Sequence, residues 1–399
     1  MNARERFLAA MSFDPCDRAL LWEFGYWAGT LRRWYDEGLG RHHGIREELV
    51  AGDSISGEAM PCAETLDGEL RKLFPTKDIR DLDVHDSLGL DAGFVMLPIN
   101  TSFCPAFTPG IIEEREETRL VKDGFGVIKE VRKDAGSIPR FVKWPMEDRN
   151  DFEQLKERLQ PGLSKRVPQN WEELVARYQR CDFPLIAGFC GEGFFGNLRR
   201  LMGEVRLFTA YYDEPELIHD MNDYFATLWI SLWNEAFNEV KPDAAWFFED
   251  MCYRNGPLIS PAMFREFLSP YYRRITGFLD DHGVKIRIVD TDGDCWKLLA
   301  PFMEAGITGL SPFEVQAGMD VTKVRREFPR LQILGGLDKQ TLLRGREAID
   351  SELSYKLPAM LKSGGYIPHL DHLVQPNVSW EDFKHYREKV REYVCRSTP

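Results

Sequence analysis

No pair of cysteines in this chain has CxxC spacing. The eight lie apart, at positions 16, 62, 104, 181, 190, 252, 295 and 395, which argues against a zinc ribbon or a disulfide framework in a cytosolic protein. Most read as small buried hydrophobes. No apolar run approaches the ~20 residues needed to span a bilayer. The opening MNARERFLAAM lacks the apolar stretch of a secretory signal and reads as a charged amphipathic helix, so the expected location is cytoplasmic. Positive charge is scarce: the formal net charge is −13. Nucleic acid and anionic membrane are therefore excluded as expected partners, and a polyanionic substrate would have to overcome the same field. GxSxG, GxxxxGK[ST], HExxH and a Cys-His signature are all missing, and no GxGxxG follows the first strand. There is no internal repeat and no low-complexity segment.

What is present suits one large domain. The 399 residues exceed the ~250 of a plain (β/α)8 barrel, so a single domain over 1–399 with an insertion at about 50–145 is expected. Ten Trp and 26 Phe supply a large core or a deep apolar pocket. Asn2 is placed to cap a first helix over 3–12, broken by Asp14–Arg18. Ala19–Phe24 reads as a short buried strand, followed by an aromatic loop, and residues 30–50 look helical and polar. The stretch 50–145 carries turn signals and short apolar runs, including Gly93–Pro98. It ends in an expected side β-hairpin: GFGVIKEVRK, a turn at Asp134–Ser137, then IPRFVKW. Two helices are expected near 150–160 and 170–180.

From 183 onward the pattern is regular. Apolar runs at 184–189, 243–249, 285–290, 307–313, 331–337 and 364–370 alternate with amphipathic stretches such as Leu198–Tyr211, Pro215–Val240, Pro261–His282, Cys295–Ala305, Val321–Phe328 and Arg344–Lys362. Alternating βα units with hydrophobic strands imply an α/β fold with a parallel sheet covered by helices. With Ala19–Phe24 they make seven strands, and one more in 50–100 would complete a (β/α)8 TIM barrel. An open doubly wound sheet is the structural alternative.

In a barrel the C-terminal strand ends carry the site. Here those ends are acidic: Glu23; Glu192; Glu249 and Asp250; Asp290, Asp292 and Asp294; Glu314; Asp338 beside Lys339; and His369, Asp371 and His372. Like charges repel, so such a set suits a bound cation or acids held protonated. Many of them can equally cap the helices that follow. Three features single out Asp290, Asp292 and His372. Asp290 and Asp292 are two apart, so in extended backbone they point the same way. Gly293 lets the chain turn tightly beside them. PHLDH then places two of the eight His within four residues; for a lone His the ordinary reading is a hydrogen-bonded core or loop residue. Asp and His can hold zinc, and oxygen-rich ligands admit Mg or Mn as well. Tyr26, Trp27, Phe194 and Phe195 sit in expected βα loops, where they could wall a flat or methylated substrate. Trp246–Phe248 read as core.

These residues are where the chain resembles a known family. RERFLAAMSFDPCDR is similar to the entry helix of the uroporphyrinogen decarboxylase superfamily. PLIAGFCGEGFFGNLRRLMG is similar to one of its barrel segments. IVDTDGDCWKLLAPFMEAGITGLSPFE, LQILGGLDKQTLLRG and GGYIPHLDHLVQPNVSWEDF resemble its C-terminal half in order and spacing. The resemblance is strongest over 183–395. It implies a (β/α)8 barrel and one of two activities.

Porphyrinogen decarboxylation in this family depends on arginines after the first strand. That two-arginine glycine motif is absent: Glu23 stands there, and Arg32 and Arg33 come later. The other activity is zinc-dependent methyl transfer involving corrinoid proteins and thiols. There the family's His-x-Cys pair aligns with Asp290 and Asp292, and its last Cys with His372. The resemblance therefore implies zinc, or another divalent metal, on Asp290, Asp292 and His372, with harder ligands suited to polarising an ether or phenolic oxygen. It implies a methyltransferase, an O-demethylase component. It would take a methyl group from a methoxylated or methylated small molecule, aromatic ones included, and pass it to a separate corrinoid protein. Glu249 or Glu314 would act as a further ligand or proton donor, and Glu23, Tyr26 and Trp27 would shape the substrate pocket. The metal-free alternative is a decarboxylase or lyase acting on a different carboxylate, with Asp290 and Asp292 as an acid/base pair beside His372. A non-enzymatic binding module is a third class. A homodimer is compatible with the sequence, which does not set the oligomeric state.

Overall fold

The computed structural model describes residues 1–45, 54–56, 82–133, 139–189 and 191–396. Helix α1 (Ala3–Ser12) begins where the sequence places it. Asn2 accepts from Glu5 N while the Glu5 side chain accepts from Asn2 N, a reciprocal cap. Strand β1 (Gly25–Trp27) leads directly into α2 (Ala28–Asp36) and pairs with β2 (Ser54–Ser56). The 30–50 region is thus helical only to Asp36 within the described residues.

The sequence pattern of alternating strands and helices is realised as a parallel sheet. In spatial order its strands are β3 (Val95–Met96), β8 (Leu185–Phe189), β9 (Ala244–Phe248), β12 (Ile286–Thr291), β13 (Gly309–Pro312), β14 (Gln332–Leu334) and β15 (Tyr366–Ile367). β3 falls in the 50–100 region, where a further strand was required. Between β3 and β8 the chain makes a separate four-stranded antiparallel sheet: β4 (Gly110–Glu114), β5 (Thr118–Lys122), β6 (Ile128–Arg132) and β7 (Arg140–Lys143). The expected hairpin is its β6–β7 pair; the turn Asp134–Ser137 lies outside the described residues. A short ribbon, β10 (Cys252–Tyr253) with β11 (Gly256–Pro257), follows β9.

Ala19–Phe24 is extended but makes no regular ladder. Side chains replace the ladder bonds. Leu21 N donates to the Asp91 carboxylate and Trp22 Nε1 to Ala92 O, on the β3 side. Leu370 N donates to Glu23 Oε1, on the β15 side. Val374 N then donates to Gly25 O, beyond both segments. The segment therefore bridges the two edges of the seven-stranded sheet.

Alternation sorts the side chains into two layers. Leu20, Trp22, Phe94, Ile186, Ala244, Trp246, Ile286, Ile288, Leu334 and Ile367 share one cluster, which also takes Phe7 and Met11 of α1. Ala245, Phe247, Val289, Leu310 and Ile333 belong instead to the large layer under the helices. The first cluster draws on all but one of the parallel strands and on Ala19–Phe24, so it is the interior of a curled sheet. Gly309 of β13 faces the same interior, because a Cβ there would meet Ile288 Cδ1 at 2.5 Å. α1 covers the strand beginnings: Gly365 N donates to Ala10 O, Gln332 Nε2 to Met11 O, and Arg4 N to Asp182 O.

Among the described residues no helix is long and apolar enough to cross a membrane, and Cys16, Cys104, Cys181, Cys252 and Cys295 are free thiols.

Candidate functional site at the strand ends

Continuing the inward alternation past the apolar interior gives the next layer up. Above Trp22 comes Phe24, above Trp246 comes Phe248, above Ile288 comes Asp290, above Gly309 comes Ser311, and above Ile367 comes His369. Asp290 lies in register with Phe248 on one side and Ser311 on the other. The layer is a polar floor flanked by aromatic rings. The Phe24 ring centroid is 5.7 Å from His369 and 5.5 Å from His372. Trp27 stands 6.4 Å from His372 and is half-buried.

The acidic loops rise around this floor. His372 Nε2 lies 3.6 Å from Asp292 Oδ2. Glu314 Oε2 accepts from Gly293 N at 3.1 Å, fixing the turn that carries Asp292, and its other oxygen is 3.9 Å from Lys339 Nζ. Asp371 accepts from Lys339 N and Val315 N, tying two loops together. Asp250, at φ 43°, is ion-paired to Arg199 at 2.6 Å.

Burial and crowding shift these groups. Burial, with the Asp292 and Asp250 charges, pushes the Asp290 carboxyl well above the ordinary range. Burial, with Asp250 and Glu314, raises Asp292 to about 7. Asp371 rises to about 6, chiefly through burial. His372 falls to about 4, through burial and then the Lys339 charge. Near pH 7 the Asp290 acid form is therefore favoured, Asp292 is about half protonated, and His372 is neutral.

Several predicted residues serve other ends. Glu23 is fully buried. It accepts from Phe24 N at 2.9 Å and Leu370 N at 3.0 Å and pairs with Arg387 at 3.1 Å, so it holds the first segment against the last loop rather than facing a substrate. Tyr26 is fully buried, edge-on to Trp34 and Phe383. Phe194 and Phe195 are also fully buried. The loop expected there is already helix, over Phe194–Asp213, and directs both rings into the core, against Tyr272 and Phe208. Glu249 accepts from Phe194 N at 2.8 Å, Gly196 N at 2.7 Å and the Tyr272 hydroxyl. Its carboxyl, raised to about 7 by burial, caps that helix from within the core. Of the predicted set, the structure gathers Asp290, Asp292, Glu314, His372 and Trp27 at the mouth. Phe248, which the sequence reads as core, and Ser311, which it does not single out, join this layer; the period of two carried one residue further finds both.

The donor set does not suit the expected metal. Among the described residues no three His, Cys, Asp or Glu side chains group to hold an ion. Asp292 and His372 approach one another, but Asp290 sits in the floor layer and does not complete a three-ligand set with them.

A family model described as uroporphyrinogen decarboxylase matches residues 120–393. A uroporphyrinogen decarboxylase from Pseudomonas fluorescens is 26% identical over 186 residues, 45% of this chain and 50% of that protein. The chain thus spans about half the length of that curated relative. Among solved structures, a methyltransferase from Methanosarcina mazei superposes with a TM-score of 0.57 at 17% identity, over 97% of this chain and 98% of that one. At that identity the likeness concerns the fold.

Proposed function

Because the chain belongs to the uroporphyrinogen decarboxylase family, we propose that its strand-end site removes a methyl group from a small methoxylated or methylated molecule, aromatic ones included, and passes it to a separate corrinoid protein. The observation that carries this reading is the Asp292–His372 pair beside the Phe24 and Trp27 rings. A methyl ether is a poor substrate for displacement unless the departing oxygen is protonated. Asp292, holding its proton to about pH 7, is placed to give it, worth typically 10²–10⁴-fold. His372, neutral at that pH, stands 3.6 Å from the same carboxyl and lines the site beside it. The aromatic rings bind the flat part of the substrate and keep water out. The corrinoid partner supplies the nucleophile that takes the methyl group. No step here runs through zinc or another divalent metal, since the donor set does not fit one. Glu314 is a positioning residue that acts through Gly293 N.

The acidic mouth also weighs against a polycarboxylate substrate. Asp250, Asp290, Asp292, Glu314 and Asp371 face two cations, Arg199 and Lys339. Arg33, one of the pair after the first strand, is engaged by Glu37 at 2.6 Å.

The test is a reaction with a reduced corrinoid protein and methoxyarenes, followed by chromatography of the demethylated phenol. Asp292→Asn is expected to slow phenol release by about 100-fold or more. A second reading is favoured by the uroporphyrinogen decarboxylase relative: a metal-free decarboxylase or lyase on another carboxylate, in which Asp292 protonates the carbon left by CO2. Release of CO2 without methyl loss would favour it. Elemental analysis tests the absence of metal from both schemes: one tightly held zinc, lost in Asp290→Ala, would overturn it.

A further inference from the structure

Asp290 and Ser311 are adjacent in register on the inward face of the sheet, directly above Ile288 and Gly309. Both are more than nine-tenths buried, at 7% and 1% exposure. Among the described residues Ser311 Oγ has no hydrogen-bond partner, and nothing donates to the Asp290 carboxyl. Leaving such groups unmatched inside a protein is costly. Elsewhere in this chain buried carboxyls are matched: Glu23 and Glu249 each accept backbone N–H groups. Two unsatisfied polar groups side by side, at the functional end of a barrel and flanked by half-buried aromatic rings, mark a place where a ligand completes the hydrogen bonding.

The surroundings define what that ligand presents. Asp292 and Asp250 are the charges that act on Asp290, and both are negative. An anionic group placed there would meet the Asp250 charge and add to the crowding that already disfavours ionisation of Asp290 and Asp292. A hydroxyl or a protonated amine can donate to the carboxyl and also engage the serine hydroxyl.

We propose that Asp290 and Ser311 form the floor of the substrate pocket and there bind a hydrogen-bond-donating, non-anionic group of the substrate, a hydroxyl or a protonated amine. This rests on the reading of the strand ends as the substrate site. It makes Ser311 a specificity-determining residue and separates the polar grip on the substrate, at the floor, from the proton delivery by Asp292 above it.

The test reads binding rather than turnover. Calorimetric titration at pH 7 would compare 3-methoxyphenol, 3-methoxybenzylamine and 3-methoxybenzoate, which share one skeleton. The phenol or the amine is expected to bind at least about tenfold more tightly than the benzoate. Ser311→Ala and Asp290→Leu are each expected to weaken that binding about tenfold or more. Asp290→Asn separates the two sources: it spares the phenol to within about threefold if the natural group is a hydroxyl, and abolishes amine binding if it is an ammonium. Both Ser311→Ala and Asp290→Leu should melt at or above the wild-type temperature, because they remove unmatched groups from the interior; a purely structural role predicts the reverse. Benzoate binding as tightly as the other two, or variants that bind like wild type, would overturn the floor alone. Failure of every probe to bind wild type would overturn it together with the reading of the mouth.

Discussion

The two ends of the barrel treat polar groups in opposite ways. At the end closed by α1, the terminal nitrogens of Arg325 reach four carbonyls, of Pro329, Leu331, Gly364 and Gly365. Gln332 caps the end of α1 at Met11 O. At the other end the Ser311 hydroxyl and the Asp290 carboxyl have no hydrogen-bond partner among the described residues, and Asp292 and Asp371 are pushed toward neutrality. The first end turns the terminal nitrogens of Arg325 and the Gln332 amide to folding. The second holds polar atoms that folding does not use, as expected where the bottom of a barrel serves stability and the top serves chemistry.

Breaking the closed end should cost most. Arg325→Ala takes a donor from four carbonyls, of which, among the described residues, only Gly364 O and Gly365 O keep another, from Ser363 Oγ and Ile333 N, and is expected to lose about 3–5 kcal/mol, read as a lower urea midpoint at unchanged slope. Glu249 blurs the contrast, since it lies at the strand ends proposed as the site yet behaves structurally. Glu249→Ala should cost about 2–4 kcal/mol, because three donors lose their acceptor; a loss under about 1 kcal/mol would return it to the candidates for chemistry.

pH sharpens the comparison. Glu192, buried at the open end, is raised from 4.5 to about 7 by burial. Its folded form holds a proton that the unfolded chain has released, so its contribution is complete below about 4.5 and lost as pH rises toward 7. Glu192→Gln should therefore gain about 1–3 kcal/mol on wild type between pH 4.5 and 7.5, and parallel stability curves would contradict the shift. Near the closed end Asp17 has the opposite sign. A hydrogen bond from Arg6 holds it below the ordinary range, so Asp17→Asn should lower the melting temperature at neutral pH and leave it unchanged in strong acid. The smallest effect belongs to Trp27→Ala. It should change stability by about 1 kcal/mol or less while weakening methoxyarene binding about tenfold.

Much of this architecture could be read from the residues. The inward pair Ile286 and Ile288, the reciprocal Asn2–Glu5 cap and the βα alternation after 183 all follow from period and capping chemistry. The site was less legible because a strand-end acid has two uses that look alike in sequence. Glu23 and Glu249 spend theirs on backbone N–H groups, whereas Asp290 does not. Ser311 passed as filler in an apolar run. The segment Gly191–Gly196 shows a further ambiguity. It spells GxGxxG between a strand and a helix, the pattern of a phosphate cradle. Its glycines are required for packing: a Cβ on Gly193 or Gly196 would lie 2.0 or 2.4 Å from Phe248 O. The helix-end N–H groups that would greet a phosphate are taken by Glu249. The motif carries its own acceptor.

The seal made by α1 also sets an order of events in folding. The bond from Gln332 to Met11 spans 321 residues, and the bond from Gly365 to Ala10 is longer still. A helix of ten residues is marginal alone in water, and contacts this distant in sequence form late. The apolar face of Phe7 and Met11 is thus made long before the strands that bury it. Throughout synthesis of the intervening chain it remains a sticky, unsatisfied surface, and docking of α1 is the step that ends that exposure.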